Sequence, residues 1–158
     1  MQRNGVCDYD PKPSMYKHGM YQTPIYSVWR GMKARCNNPN EPNYKNYGRR
    51  GIKVCLRWHE FVNFYEDMKA GYKKGLQIDR IDNNENYDPG NCRWATRKEN
   101  NRNKRNNRLI TYRGATKTLT EWSEILKIDN RRLGEKLDKC TDDDQTEETI
   151  EAILKLLK

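Results

Sequence analysis

Four residues of this chain, Asp79, Arg80, Asn91 and Asn100, have types and spacing that could do chemistry. Ile78-Asp79-Arg80-Ile81-Asp82 reads as a short strand, and a polar loop with Tyr87-Asp88-Pro89-Gly90 follows it. A second short strand, Asn91-Cys92-Arg93-Trp94-Ala95-Thr96, leads into a short basic helix opening with Arg97-Lys98-Glu99-Asn100. A carboxylate at the end of one strand and an amide on the following helix can reach one metal ion.

The flanking elements must position that unit. Thr23-Pro24 reads as a helix start, with threonine as cap and proline in the first turn. Ile25, Val28, Trp29 and Met32 follow at helical spacing until Asn37-Asn38-Pro39. Residues 44–51 are turn-rich, and Ile52 and Val54 predict a short strand. A second amphipathic helix is expected from about Trp58 to Ala70, with Trp58, Phe61, Val62, Tyr65 and Met68 on one face and Gly71 stopping it. Residues 101–108, dense in asparagine and arginine, either extend the basic helix or form a linker. Ile110–Leu119 predicts a hairpin turning at Arg113-Gly114. Thr118 and Glu121 stand at capping-box spacing before a helix with Trp122, Ile125 and Leu126 inside. Asp129-Asn130 breaks it and a short helix with Leu133 and Leu137 follows, a helix-turn-helix silhouette. A last helix is expected from Thr146, with Ile150, Ile153, Leu154 and Leu157 as its buried stripe.

With 34% hydrophobic and 34% charged residues the core must be thin, and ten tyrosines and four tryptophans compensate by area. The net charge of +9 is uneven: residues 1–110 hold 22 Lys/Arg against 11 Asp/Glu, and residues 111–158 hold 9 against 11. A nucleic-acid-facing surface is therefore expected mainly in the first two thirds. No long apolar run or signal-like segment is present, so neither membrane insertion nor secretion is indicated. Five cysteines (Cys7, Cys36, Cys55, Cys92, Cys140) without a CxxC pair argue against a disulfide framework and for a cytoplasmic protein.

Asp79-Arg80, Gly90-Asn91-Cys92-Arg93-Trp94-Ala95-Thr96 and Asn100, in that order, resemble the HNH (ββα-metal) endonucleases, above all the small phage and homing enzymes. The likeness extends back through Tyr47–Ile52 and Trp58–Met68 and forward through Thr111–Leu137, so it covers most of residues 20–137. It implies an α+β fold: a flexible arm over 1–22, a nuclease domain over 23–108 with its ββα-metal core at about 76–105, and a C-terminal helix-turn-helix-like DNA-binding module over 109–158. It implies that Asp79 and Asn100 bind one divalent cation, and that Asn91 holds the loop through backbone hydrogen bonds so that the base is aimed. One carboxylate and one neutral amide suit Mg²⁺ or Mn²⁺ better than zinc. The implied activity is hydrolysis of phosphodiester bonds in double-stranded DNA. One strand would be nicked per monomer, and double-strand cleavage would need a dimer or a second event.

Arg80 departs from the family, which has its histidine base there. Arginine stays protonated, with a pKa above about 12. Arg80 clamps the phosphate while Tyr87 orients or deprotonates the water; or His59 folds over the site as base; or the chain is an inactive DNA-binding regulator. Each residue also has a plain structural role available: Asp79 and Asp82 as turn caps, Asn100 as a solvated amide, Tyr87 as loop packing. It is their order together that favours chemistry. An RNA-binding protein is the third possibility, and it would leave the Asp79/Asn100 pair idle. Cys36, Cys55 and Cys92 with His59 match no standard zinc pattern, so buried thiols are preferred to a structural zinc. Arg49, Arg50, Arg93, Arg97, Lys98, Arg102, Lys104, Arg105 and Arg108 are the expected phosphate contacts, and Asn130, Arg131 and Arg132 the base readers.

Overall fold

The computed structural model describes residues 19–156, so Cys7, Leu157 and most of the expected N-terminal arm lie outside the described residues. The fold is mixed α+β, with helices around two small antiparallel sheets. The chain divides into two compact units, one ending at Asn103 and the other beginning at Lys104, rather than after Arg108.

In the first unit, Thr23 caps helix α1 (Pro24–Asn37) by accepting from the Tyr26 amide at 3.3 Å. Ile25, Met32 and Cys36 form its buried stripe. Ile52 and Val54 are both buried but make no strand; Val54 forms a single parallel bridge to Tyr87. A 3₁₀ turn, Leu56–His59, precedes helix α2 (Phe61–Met68), which therefore starts three residues later than Trp58. The later start changes the inward face. Phe61, Phe64 and Met68 are buried at helical spacing, whereas Val62 is 42% exposed. Asp67 ties turn to helix, accepting from Arg57 at 2.9 and 3.0 Å and from Trp58 Nε1 at 2.7 Å. Trp58, Phe64 and Met32 are fully buried at the centre, each contributing roughly 2–3 kcal/mol by removal from water.

Strands β1 (Gln77–Arg80) and β2 (Cys92–Ala95) pair antiparallel with Asp79 opposite Arg93, and Ile78 and Cys92 pack on the core. Helix α3 (Arg97–Arg102) follows directly. Its capping box is complete, with Thr96 Oγ1 accepting from the Glu99 amide and the Glu99 carboxylate accepting from the Thr96 amide.

The second unit opens with a hairpin, β3 (Leu109–Tyr112) and β4 (Ala115–Thr118). Its two-residue turn, Arg113-Gly114, has φ of 48° and 76°, the left-handed pair that matches strand twist. Thr118 and Glu121 form the expected capping box for α4 (Leu119–Ile125). Asp129 accepts from the Arg131 and Arg132 amides to start α5 (Asn130–Leu137). Helix α6 (Asp143–Leu156) begins three residues before Thr146, with Asp143 and Asp144 in its first turn, where the helix dipole favours them. Leu126, Leu133, Leu137 and Ile150 are the core of this unit; Ile125, expected inside, is 49% exposed.

Candidate functional site

Asp79 sits on β1 with only 4% of its surface exposed. Its carboxylate accepts from Arg93 Nε across the hairpin at 3.0 Å. The second donor is the amide of Asn103, whose Nδ2 lies 3.0 and 3.2 Å from the two carboxylate oxygens and 2.5 Å from the Arg80 carbonyl oxygen. Asn100, expected beside Asp79, instead donates to Gln77 Oε1 at 2.8 Å.

The correction has a geometric cause. Gln77 and Asp79 share one face of β1, because side chains alternate along a strand. Asn100 and Asn103 share one face of the chain at α3, because positions three apart do so in a helix. The two pairs meet in order, and the second amide reaches the carboxylate. Asn103 is held there as the C-cap of α3, its amide donating to the Glu99 carbonyl at 3.0 Å. The spacing of Asn100 and Asn103 was the available sequence signal for it.

Asn91 staples the loop between the strands. Its Oδ1 accepts from the Asp82 amide at 2.8 Å, and its Nδ2 donates to the carbonyls of Asp82 and Asn86 at 3.1 and 2.9 Å. Asp88 and Asp82 add local turns, accepting from the Gly90 and Asn84 amides at 2.8 Å each. Arg50 braces the same loop from outside, reaching Asn84 Oδ1 at 2.7 Å and the Asn83 carbonyl at 3.4 Å.

Arg80 and Tyr87 do not face solvent as a phosphate clamp and its partner base. They are 5% and 2% exposed. The Arg80 guanidinium carbon lies 5.0 Å from the Tyr47 ring centroid and 4.9 Å from that of Tyr87, and Nη1 donates to the Glu85 carbonyl at 2.8 Å. Arg35 reaches the same two rings from α1, at 5.0 and 5.3 Å, and the rings themselves stack at 6.2 Å. Gly48 makes this packing feasible, since a Cβ there would collide with the Cys36 carbonyl and the Tyr44 ring. Burial pushes the Tyr87 phenol well above its ordinary range, and the lowering from Arg35 and Arg80 does not offset it. A phenol so buried and so weakly acidic does not suit a general base. His59 is exposed on the turn before α2, with its carbonyl accepting from Lys33 at 3.0 Å, and no contact among the described residues joins it to Asp79.

The expected phosphate contacts divide by environment. Arg49, Arg97, Lys98, Lys104 and Arg105 are exposed, and Arg102 is half-buried. Arg50 and Arg93 are engaged as described, and Arg108 pairs with Asp138. Asn130, Arg131 and Arg132 lie exposed in the first turn of α5, with Arg131 bonded to Glu135 at 2.9 Å.

Asp79 offers carboxylate oxygen, whereas Asn103 turns its Nδ2 toward that carboxylate and would present Oδ1 to a hard dication such as Mg²⁺ or Mn²⁺ only with its amide turned over. Arg93, whose side chain is 49% exposed, supplies the cation that now balances the carboxylate. Among the described residues no group of three or more His, Cys, Asp or Glu side chains is placed to hold a metal ion. Cys36 and Cys92 are buried, and burial raises both thiols, Cys92 to about 12. Among the described residues no helix is long and apolar enough to cross a membrane. Comparison with known proteins gave no matching family model, no matching curated protein and no matching solved structure.

Proposed function

We propose that this chain is a metal-dependent DNA endonuclease of the HNH (ββα-metal) type, its Asp79 and Asn103 holding one Mg²⁺ or Mn²⁺ and its second unit serving as a DNA-binding helical module. The observation that carries the reading is a buried carboxylate on a hairpin, met by an amide from the end of the very next helix, above a loop stapled by a central asparagine. Asp79 would hold the ion together with an Asn103 amide turned to present Oδ1, and Asn91 would fix the loop between β1 and β2 beside it. Bound there, a hard dication supplies charge neutralisation at the scissile phosphate and at the departing 3′-oxygen. Arg93 leaves Asp79 for a phosphate oxygen as the backbone arrives, a bond its planar fork makes well. Arg80 keeps the strand end rigid from the interior. In this reading water would attack phosphorus and give a proton to solvent, and the P–O3′ bond would break with the departing 3′-oxygen taking a proton from solvent. The outward arginines and lysines of α3 and of the segment after it bind phosphates, and the first turn of α5 reads base edges. One centre per chain would make a nick, and a double-strand break would need a dimer or a second event.

The second reading is a DNA-binding regulator that keeps the fold without cutting, and one observation favours it: Arg80, expected to clamp the phosphate, and Tyr87, expected to activate water, are both buried in the aromatic cluster. One experiment separates the two. Purified protein is incubated with supercoiled plasmid in Mg²⁺, in Mn²⁺ and in EDTA, alongside Asp79→Ala. Metal-dependent nicking lost in Asp79→Ala supports the nuclease. Salt-sensitive binding without cleavage under either metal supports the regulator.

A further inference from the structure

A groove of about 430 Å³ borders the candidate site. One wall is Ser27, Gly31 and Arg35 of α1, which recur every four residues and so form one stripe of the helix. The opposite wall is formed by Gln77 of β1 and Asn100 of α3. The volume falls within the range of ligand clefts, about 300–1,000 Å³.

The lining holds one cation, two amides and no carboxylate. Arg35 is half-buried and makes no hydrogen bond among the described residues. Its Nε is sealed from solvent without a partner, and its guanidinium is held in place against Tyr47 and Tyr87. A guanidinium already held in place by two rings gives up less freedom on meeting an anion than a mobile one does. Gln77 Oε1 is taken by Asn100 Nδ2, which leaves Gln77 Nε2 as donor and Asn100 Oδ1 as acceptor. The pair therefore keeps one donor and one acceptor for the edge of an occupant. Between these ends the groove is apolar, with Val28 and Ile78 in its walls, and Gly31 leaves open space where a Cβ would stand.

We propose that this groove is a nucleotide-binding site, with a phosphate on Arg35, the base edge on the Gln77–Asn100 pair and the ring face on the apolar wall. Gln77 stands two residues before Asp79, so the occupant is a nucleotide of the strand being cut. That last assignment rests on the nuclease reading; the site itself does not.

The test uses the full chain in EDTA, titrated with deoxyadenosine 5′-phosphate and followed by NMR at the Gly31 backbone amide and the Gln77 and Asn100 side-chain amides. The expected result is saturable shifts at all three, at least ten-fold weaker binding in Arg35→Gln, and loss of the shifts in Gly31→Leu. A Cβ at Gly31 meets no atom within 4 Å, so the leucine starts from open space at the groove. Inorganic phosphate should bind at least ten-fold more weakly than the nucleotide. No shifts in the wild type, unchanged shifts in Gly31→Leu, or equal affinity for phosphate alone would each overturn the site. Plasmid cleavage is scored on the same proteins. Cleavage with an unresponsive groove refutes the site and leaves the nuclease standing; a responsive groove without cleavage does the reverse.

Discussion

Replacing Arg80 by alanine should unfold the first unit more readily, and the size of that effect separates a structural arginine from a catalytic one. The guanidinium makes one charge-assisted hydrogen bond, to the Glu85 carbonyl at 2.8 Å, worth about 1.5–3 kcal/mol. It also lies within 5.0 Å of two ring centroids at 5% exposure, where each cation–π contact is worth about 1–2 kcal/mol. Removing it relieves repulsion from Arg35, which shares the same rings, so the net loss should be about 3 kcal/mol. With a urea slope of about 1.5 kcal/mol per molar, that lowers the midpoint by about 2 M. The assay is urea unfolding followed by tryptophan fluorescence in a Trp122→Phe background, so that Trp29, Trp58 and Trp94 report the first unit alone. Arg80→Lys should fall between, because a compact ammonium cannot span both rings and the carbonyl. A midpoint change below about 0.5 M, together with a cleavage loss above about 100-fold, would refute the argument and return Arg80 to the chemistry.

Asn103→Ala should weaken Mn²⁺ binding by at least about ten-fold while Asn100→Ala changes it less than two-fold, as read by Mn²⁺ electron paramagnetic resonance; the opposite order would restore Asn100 as the metal residue. Tyr87→Phe should leave the cleavage rate within about two-fold, because a phenol that keeps its proton throughout the working range moves none. The same raised phenol makes a prediction about alkali. The unfolded chain ionises it near pH 10 and the folded chain only above that, so stability is held below about pH 10 and lost as pH rises further. Tyr87→Phe should flatten that loss in urea midpoints measured from pH 8 to 11. DNA affinity should fall by about 10³–10⁵ between 50 and 200 mM salt if six to ten basic residues neutralise phosphates, and a flat salt dependence in a binding titration would argue against the basic surface as the interface.

Much of the architecture was legible because it depends on neighbours in sequence. The Thr23 cap, the Thr118–Glu121 capping box, the Arg113-Gly114 turn and the Asn91 staple are local devices, each written within about a dozen residues. What the sequence hid depends on distance. Arg80 looked like a surface charge because Tyr47 and Arg35, which bury it, come from 33 and 45 positions earlier. The motif points to Asn100 and says nothing of Asn103, because a motif records order, whereas reach is set by the mismatch between strand and helix periods. Phe64 was passed over for Val62 because the helix was started at Trp58, which shifted the inferred face.

The junction between the two compact units has a consequence for how such a chain can be rebuilt. Asn103 is the last residue of the first unit, and both partners of the Asp79 carboxylate, Arg93 and Asn103, precede the junction at Lys104. A recombination or a designed fusion at that point exchanges the entire second unit without removing one of them. The junction is therefore a natural cassette boundary, at which the second unit can be exchanged while the hydrogen bonds around Asp79 are inherited whole. A truncation one residue earlier would discard the amide that completes them.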